Sequence, residues 1–284
     1  MKRNWKLPVI IALALLLAVQ MIDAAWLLWF GGSCRLPILM YHHFAEKTNP
    51  VTTVTPEQFR EQLTALKEAG YQTVTVRQVI DYAESGAPLP DKPILITIDD
   101  GYTSNLTEAA PILEELGMCA TVFVIGINEG EEISPHSGQP MKPSRFSYEE
   151  ALPWVEKGVL DVQSHTYDMH QRIEYGYRDR DGVLRKDGES HQEYRQALLE
   201  DARMAFARRE GRGLPTELVA LAYPYGFFSM EADGIFREAG YRLTVTTQEH
   251  VNRLYKNNDS CLRMLGRFNV NEAMTGEILL DRIQ

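Results

Sequence analysis

Short apolar runs alternate with amphipathic stretches along most of this chain, and the alternation predicts a repeated β/α arrangement. Runs at 37–41, 71–74, 94–98, 120–125, 158–162, 218–223 and 241–246, with a short one near 265–268, read as buried strands. A helix is predicted after Thr55, with Pro56 at its first position, Phe59, Leu63 and Leu66 on one face, and Gly70 as its stop. Further helices are expected over 77–84, from Leu106 to a stop at Gly117, over 148–157, over 192–209 with Leu198, Ala202 and Ala205 inward, over 230–239, and from Thr275. Two polar, glycine-bearing stretches, 128–145 and 172–190, break the pattern and read as surface excursions that could line a groove. About seven β/α units without internal repeats predict an α/β fold, a (β/α) barrel that is irregular or seven-stranded, in preference to a doubly wound open sheet.

The N-terminus follows a different pattern. Residues 7–30 are almost wholly apolar, Gln20 and Asp23 excepted, and Lys2, Arg3 and Lys6 precede them. A run of that length spans a bilayer as a helix. The basic cluster ahead of it places the remainder outside the cytoplasm, and no A-x-A-like exit follows Phe30, so an uncleaved signal anchor is expected. The predicted organisation is a cytoplasmic stub and transmembrane anchor over 1–35 and a catalytic domain over 36–284, single-pass in the cell membrane. Cys34, after Gly31-Gly32-Ser33, invites acylation, but Gly31 stands where a lipoprotein signal has a leucine-like residue.

Composition narrows the partners. The chain has 284 residues, 44% of them hydrophobic, enough for one large domain with a substantial core. Its formal net charge of −10 becomes more negative once the basic N-terminus is set aside, and such a surface repels phosphate backbones, so no nucleic acid partner is expected. Contact with a membrane is expected through the anchor alone. Nothing in the spacing of Cys34, Cys119 and Cys261 requires a disulfide, and none is predicted.

The chemistry concentrates at strand ends. Asp99 and Asp100 close the run 94–98 and are followed by Gly101, which lets the backbone turn so that both carboxylates face one cavity. Adjacent like charges raise one pKa unless a cation or firm hydrogen bonds absorb one of them. His165 and His170 follow the run at 158–162, and with Asp100 they make a two-His-one-carboxylate set that leaves coordination positions open for water and substrate. Five residues apart, they would stand roughly 140° apart around a helix axis, so they belong on a loop. One divalent ion is expected, zinc by default, with cobalt, nickel or iron also admitted by these ligands. His42, Asp99, Asp100, His165 and the segment Tyr223-Pro224-Tyr225 each follow a different predicted strand, and a barrel gathers those ends on one face. If Tyr41 points outward, His42 and His43 face opposite ways and only one enters the site.

The segment Ile96-Thr97-Ile98-Asp99-Asp100-Gly101-Tyr102, together with the later His165/His170 pair, resembles the NodB-homology polysaccharide deacetylases, carbohydrate esterase family 4. The resemblance runs from about residue 36 to residue 267. The histidine spacing, Tyr223-Pro224-Tyr225-Gly226 and the early Leu39-Met40-Tyr41-His42 look closest to the branch that includes the poly-β-1,6-N-acetylglucosamine deacetylases. What the resemblance implies is a general base at Asp99, metal ligands at Asp100, His165 and His170, a general acid at His42, and a backbone N–H from Tyr225 for the oxyanion, with Tyr223 and Pro224 in the same substrate-side element. Many members carry an arginine two residues before the proline of that element. Here the position is Ala222, and Arg267, which also follows a strand, is the candidate replacement beside Asp99.

The implied function is metal-dependent removal of N-acetyl groups from an N-acetylglucosamine-containing cell-surface or matrix polysaccharide. The alternatives are a peptidoglycan de-N-acetylase, an O-acetyl esterase on the same fold, and, in another class, a non-catalytic carbohydrate-binding protein.

Overall fold

The structure, a computed structural model, describes residues 32–46, 49–176 and 180–284, with residues 17 and 19–21. The apolar run expected to cross a membrane, 7–30, otherwise lies outside the described residues; among these, no helix is long and apolar enough to span a bilayer. Twelve strands are described: β1 (Ser33–Leu36), β2 (Ile38–Tyr41), β3 (His43–Phe44), β4 (Thr53–Val54), β5 (Gln72–Thr73), β6 (Pro93–Asp100), β7 (Ala120–Val124), β8 (Leu160–Ser164), β9 (Ala220–Ala222), β10 (Leu243–Val245), β11 (Asn252–Tyr255) and β12 (Phe268–Asn269). Seven α-helices are described: α1 (Pro56–Glu68), α2 (Val76–Ser85), α3 (Ala110–Leu116), α4 (Tyr148–Glu156), α5 (His191–Arg209), α6 (Met230–Ala239) and α7 (Gly276–Ile283).

The helices begin where their side chains can cap them. Thr55, Thr75, Ser147 and Ser190 each accept from the backbone N–H three residues on, and the Gln or Glu at that position reaches back to the cap. Each such box satisfies two of the N–H groups that a helix start leaves unpaired. Gly86, Gly117 and Gly240 end α2, α3 and α6 in the left-handed conformation.

The main sheet runs β10–β9–β8–β7–β6–β2–β12 with every pairing parallel, and β5 adds to the start of β6. The two outer strands of this order approach each other. Val245 at the end of β10 makes a parallel bridge to Leu265, ahead of β12. Thr246 N donates to Leu265 O and Leu265 N to Thr244 O, each at 2.8 Å. Seven strands therefore come round into an irregular (β/α) barrel, as the strand pattern predicted. Its loosest joint lies between β8 and β9, where only Ser164 and Leu221 pair. There the Gln163 side chain substitutes for the ladder, accepting from Val219 N and Ala220 N and donating to Glu217 O.

Strand periodicity divides the side chains into two sets. Leu39, Tyr41, Ile94, Ile96, Ile98 and Val122 pack with helices α1, α3, α4 and α7 outside the barrel. Ile38, Leu95, Phe123, Ala222, Leu243 and Val245 belong to a separate cluster that fills the inside. Thr97, Asp99, His165 and Arg267 share this inward parity at the upper end of the barrel and are all buried. Two pairings went unread in the sequence: β1 lies antiparallel to β11, and β3 parallel to β4.

Closure at the β10–β12 seam depends on Gly266. Its N–H donates to Asn252 Oδ1 while its carbonyl and that of Leu36 accept from Asn252 Nδ2. A Cβ there would lie 2.3 Å from Gln248 O and 2.4 Å from the His250 ring. Gly266→Ala should therefore pry the seam apart and lower unfolding free energy by about 1–3 kcal/mol, the usual range for overpacking. Urea denaturation measures it, and a midpoint equal to that of the unsubstituted protein would show that the seam yields freely.

Candidate metal and catalytic centre

Asp99 and Asp100 end the fully buried strand β6, and successive residues of an extended strand point to opposite faces. The chain resolves this at Asp100 itself, which takes a left-handed backbone, φ 76°, with Gly101 following at φ 70°. The turn brings the second carboxylate to the barrel mouth beside the first. Two further non-glycine residues beside this centre take positive φ, Thr166 at 67° after β8 and Tyr225 at 57° after β9, while Asn257 and Met264 are the others among the described residues. Such conformations cost of order 1–3 kcal/mol each and persist only where surrounding contacts hold them. Three of them at one mouth mark the place where backbone strain has been accepted to aim side chains.

Arg267 absorbs the first carboxylate. Its Nη1 and Nη2 donate to Asp99 Oδ1 and Oδ2 at 2.7 and 2.8 Å, a two-pronged pair with both partners buried. Two further guanidinium donors, on Nη1 and Nε, reach Thr97 Oγ1 and Thr246 O. A buried ion pair requires this degree of satisfaction to offset desolvation. Burial pushes the Asp99 carboxyl up, but Arg267, aided by His165 and His42, outweighs it and holds Asp99 ionised below the ordinary carboxylate range.

The second carboxylate faces imidazoles. Asp100 Oδ1 lies 3.3 Å from His170 Nε2 and 3.6 Å from His165 Nε2, and one donor atom from each residue falls within 4.8 Å of the others. Asp100 Oδ1 is buried with no hydrogen-bond donor on it. His165 Nδ1 donates to Ala222 O at 2.8 Å, which fixes the tautomer and leaves the Nε2 lone pair facing the carboxylates. His170 Nδ1 is 3.1 Å from the Tyr225 hydroxyl, and burial outweighs Asp100 to bring the His170 pKa down to about 4. His165 Nε2, the His170 imidazole and an ionised carboxylate with an unmet oxygen form a donor set that fits a divalent cation.

His42 lies close enough to Asp99, Asp100 and His165 to feel their charges; burial nonetheless lowers its pKa below the ordinary imidazole value. His43 turns the other way, with Nδ1 2.8 Å from Ser104 Oγ and its ring on Tyr102. Tyr225 packs its ring 4.4 Å from that of His170, and Pro224 is buried beside it. Tyr223 is placed differently from the expectation: it has outward parity, is fully buried, and donates its hydroxyl to Asp233 Oδ1 at 2.7 Å. It anchors the end of β9 rather than facing substrate.

The polysaccharide deacetylase sequence profile matches residues 86–244, more than half of the chain. The chain belongs to the polysaccharide deacetylase family. Among its relatives, YxkH of Bacillus subtilis (strain 168), itself assigned to the polysaccharide deacetylases, is 26% identical over 242 residues, 85% of this chain and 74% of that protein. The poly-beta-1,6-N-acetyl-D-glucosamine N-deacetylase of Escherichia coli (strain K12) is 27% identical over 126 residues, 43% of this chain but only 19% of that enzyme. The structure of IcaB from Ammonifex degensii superposes with a TM-score of 0.71 at 26% identity, covering 88% of this chain and 97% of that one.

Supports that the sequence analysis did not find surround the centre of this polysaccharide deacetylase. Asp201, buried in α5, accepts from the backbone N–H groups of Tyr167 and Asp168 at 2.9 and 2.8 Å and so braces the loop between the two histidines. The available signal was a charge next to Ala202 on the face that carries Leu198 and Ala205 inward. Asn105 opens a π-helical turn, Asn105–Ala109, ahead of α3, and its amide donates to His42 O at 2.8 Å. Asp168 pairs with His136 at 2.6 Å, tying the first excursion to the histidine loop.

Two outcomes test this arrangement. Arg267→Met leaves Asp99 buried without its cation, so its pKa should rise and the acid limb of kcat/KM should move to higher pH. In the unsubstituted protein the depressed pKa contributes stability that is present above the unfolded carboxylate value and lost as pH falls through the folded one. The substitution should therefore cost about 3–5 kcal/mol at pH 7 and less in acid, where a proton takes the place of the arginine; equal losses at both pH values would count against the pairing. The second outcome is metal content after dialysis: about one divalent ion per chain, lost in Asp100→Ala.

Proposed function

We propose that this chain is a divalent-metal-dependent de-N-acetylase acting on an N-acetylglucosamine-containing polymer of the cell surface or matrix. The observation that carries the reading is the meeting, at one barrel mouth of a polysaccharide deacetylase, of an arginine-held free carboxylate, a carboxylate–imidazole ligand set and a third imidazole. The name of the Escherichia coli relative supports the choice of an N-acetylated glucosamine polymer. The apolar run at 7–30 with its preceding Lys2, Arg3 and Lys6 supports a membrane anchor and an extracytoplasmic catalytic domain.

Held by Asp100, His165 and His170, a divalent cation, zinc by default, would supply Lewis acidity, making water more acidic and polarising the acyl oxygen. The residues themselves divide the proton transfers. Asp99, kept ionised by Arg267 and fixed in its rotamer, takes the proton from the attacking water. The backbone N–H of Tyr225 donates to the oxygen on which negative charge develops. His42 is neutral in the resting site, because burial lowers its pKa. Negative charge developing beside it raises its proton affinity, so it takes up a proton from solvent, and the resulting imidazolium delivers that proton to the amine nitrogen as the C–N bond breaks; the proton held by Asp99 returns to solvent and restores the base.

Two substitutions separate these roles. Asp99→Asn should reduce kcat by about 10²–10⁴-fold, the range for a lost general base, with metal still bound. His42→Ala should impair release of acetate from amides more than from ester analogues, since an alcohol leaves with less help than an amine. Acetate release from β-1,6-linked N-acetylglucosamine oligomers, chitin oligomers and peptidoglycan in parallel measures both. Metal-loaded protein inert on all three would overturn the deacetylase reading, and equal losses on amide and ester would remove His42 from the acid role.

A further inference from the structure

Among the described residues seven buried side-chain atoms have no hydrogen-bond partner, and four of them are His42 Nδ1, Asp100 Oδ1, Arg145 Nε and Arg172 Nε. The first two belong to the proposed acid and the metal ligand. The two guanidinium nitrogens have no part in that chemistry.

Arg145 comes from the first excursion. Its backbone bridges to Tyr102, its Cζ lies 3.7 Å from the Tyr102 ring centroid, and its Nη1 donates to Pro143 O at 2.8 Å. Its charge reaches both Asp100 and His170. Arg172 opens the second excursion, with Cζ 5.3–5.5 Å from the rings of Tyr175, Tyr225 and Phe227. Tyr225 in turn packs on His170. Arg145 acts on His170 through its charge, and Arg172 adjoins Tyr225, which packs on that histidine; both guanidiniums lie beside aromatic rings with Nε unmet. An aromatic face fixes the plane of a guanidinium, and a fixed fork is suited to a carboxylate or phosphate. Glu174 Oε1 sits 2.9 Å from Arg172 Nη1, so this guanidinium already pairs with a carboxylate at an atom other than Nε, and the Glu174 side chain is exposed enough to be displaced. Neutral sugar hydroxyls can also accept from such N–H groups, but an oxyanion accepts more strongly because the bond is charge-assisted.

We propose that Arg145 and Arg172 form an oxyanion-recognising rim, and that the preferred substrate carries a carboxylate or phosphate on a sugar neighbouring the N-acetyl group removed. The proposal rests on the deacetylase reading for the bond that is cut, and on the two guanidiniums for the charge that is read. Both sources of the charge share one chemistry, a sugar-borne oxyanion.

The test compares three oligosaccharides of equal length: a neutral N-acetylglucosamine oligomer, a peptide-free oligomer alternating N-acetylglucosamine with N-acetylmuramic acid, and a phosphate-bearing N-acetylglucosamine oligomer. Calorimetric binding and acetate release are measured on the full-length protein, on Arg145→Gln and on Arg172→Gln. At least one acidic oligomer should bind about tenfold tighter than the neutral one, and the better of the two identifies the source of the charge. Each Gln variant should move the acidic-to-neutral ratio of KM values toward one, and added salt should erode the preference in the unsubstituted protein. Equal binding of neutral and acidic oligomers, or a ratio unmoved by either substitution, overturns the proposal. A binding preference without acetate release from any oligomer would refute the deacetylase reading and leave the rim standing.

Discussion

Two carboxylates side by side at the end of a fully buried strand constrain everything else in this molecule. Neither can be ionised in that position without a counter-charge, and the barrel supplies a different one to each. Asp99 is met by Arg267, from a segment that reaches the barrel only at its closing seam. Asp100 is met by imidazoles from the loop after β8. The difference decides the chemistry, because a carboxylate satisfied by a covalently tethered cation remains a proton acceptor. One that keeps an unmet oxygen beside two imidazoles has the arrangement of a candidate metal ligand.

The seam and the centre are one structural problem. Arg267 reaches Asp99 because Gly266 passes within contact of Gln248 and His250, and because Asn252 joins that glycine to the strand β1. Barrel closure therefore delivers a charge to the candidate centre as well as burying apolar surface. This accounts for a guanidinium that comes from late in the chain while position 222 holds an alanine. Its small side chain stands on the inner wall, and its carbonyl is left to orient His165.

Much of this was legible in the sequence wherever a single physical rule acted alone. The alternation of apolar and amphipathic stretches located the strands whose ends carry Asp99, Asp100 and His165, and Thr55 before Pro56 located the start of α1. Period-two alternation along β9 would have turned Tyr223 outward onto Asp233, where the structure has it. Long-range substitutions of side chain for backbone were not legible. Nothing local announces that the Gln163 amide will stand in for a strand ladder, or that Asp201 will brace a loop more than thirty residues upstream. The left-handed turn at Asp100 was half legible. Gly101 signalled it, yet the aspartate itself bears the strain.

That strain also argues for how the centre is held in readiness. Asp100, Thr166 and Tyr225 each sit in a backbone region that L-residues avoid, and each turn is held by a hydrogen bond. The Gly101 carbonyl accepts from Phe146 N, Thr166 Oγ1 accepts from Met169 N, and the turn at Tyr225 is closed by Gly226 N on Tyr223 O. A Cβ at Gly226 would meet the Thr247 side chain at 2.0 Å, so this turn can relax little. Rigid supports of this kind keep two like charges and three imidazoles together in the absence of substrate. The cost of assembling them is thus met during folding and does not recur at each turnover.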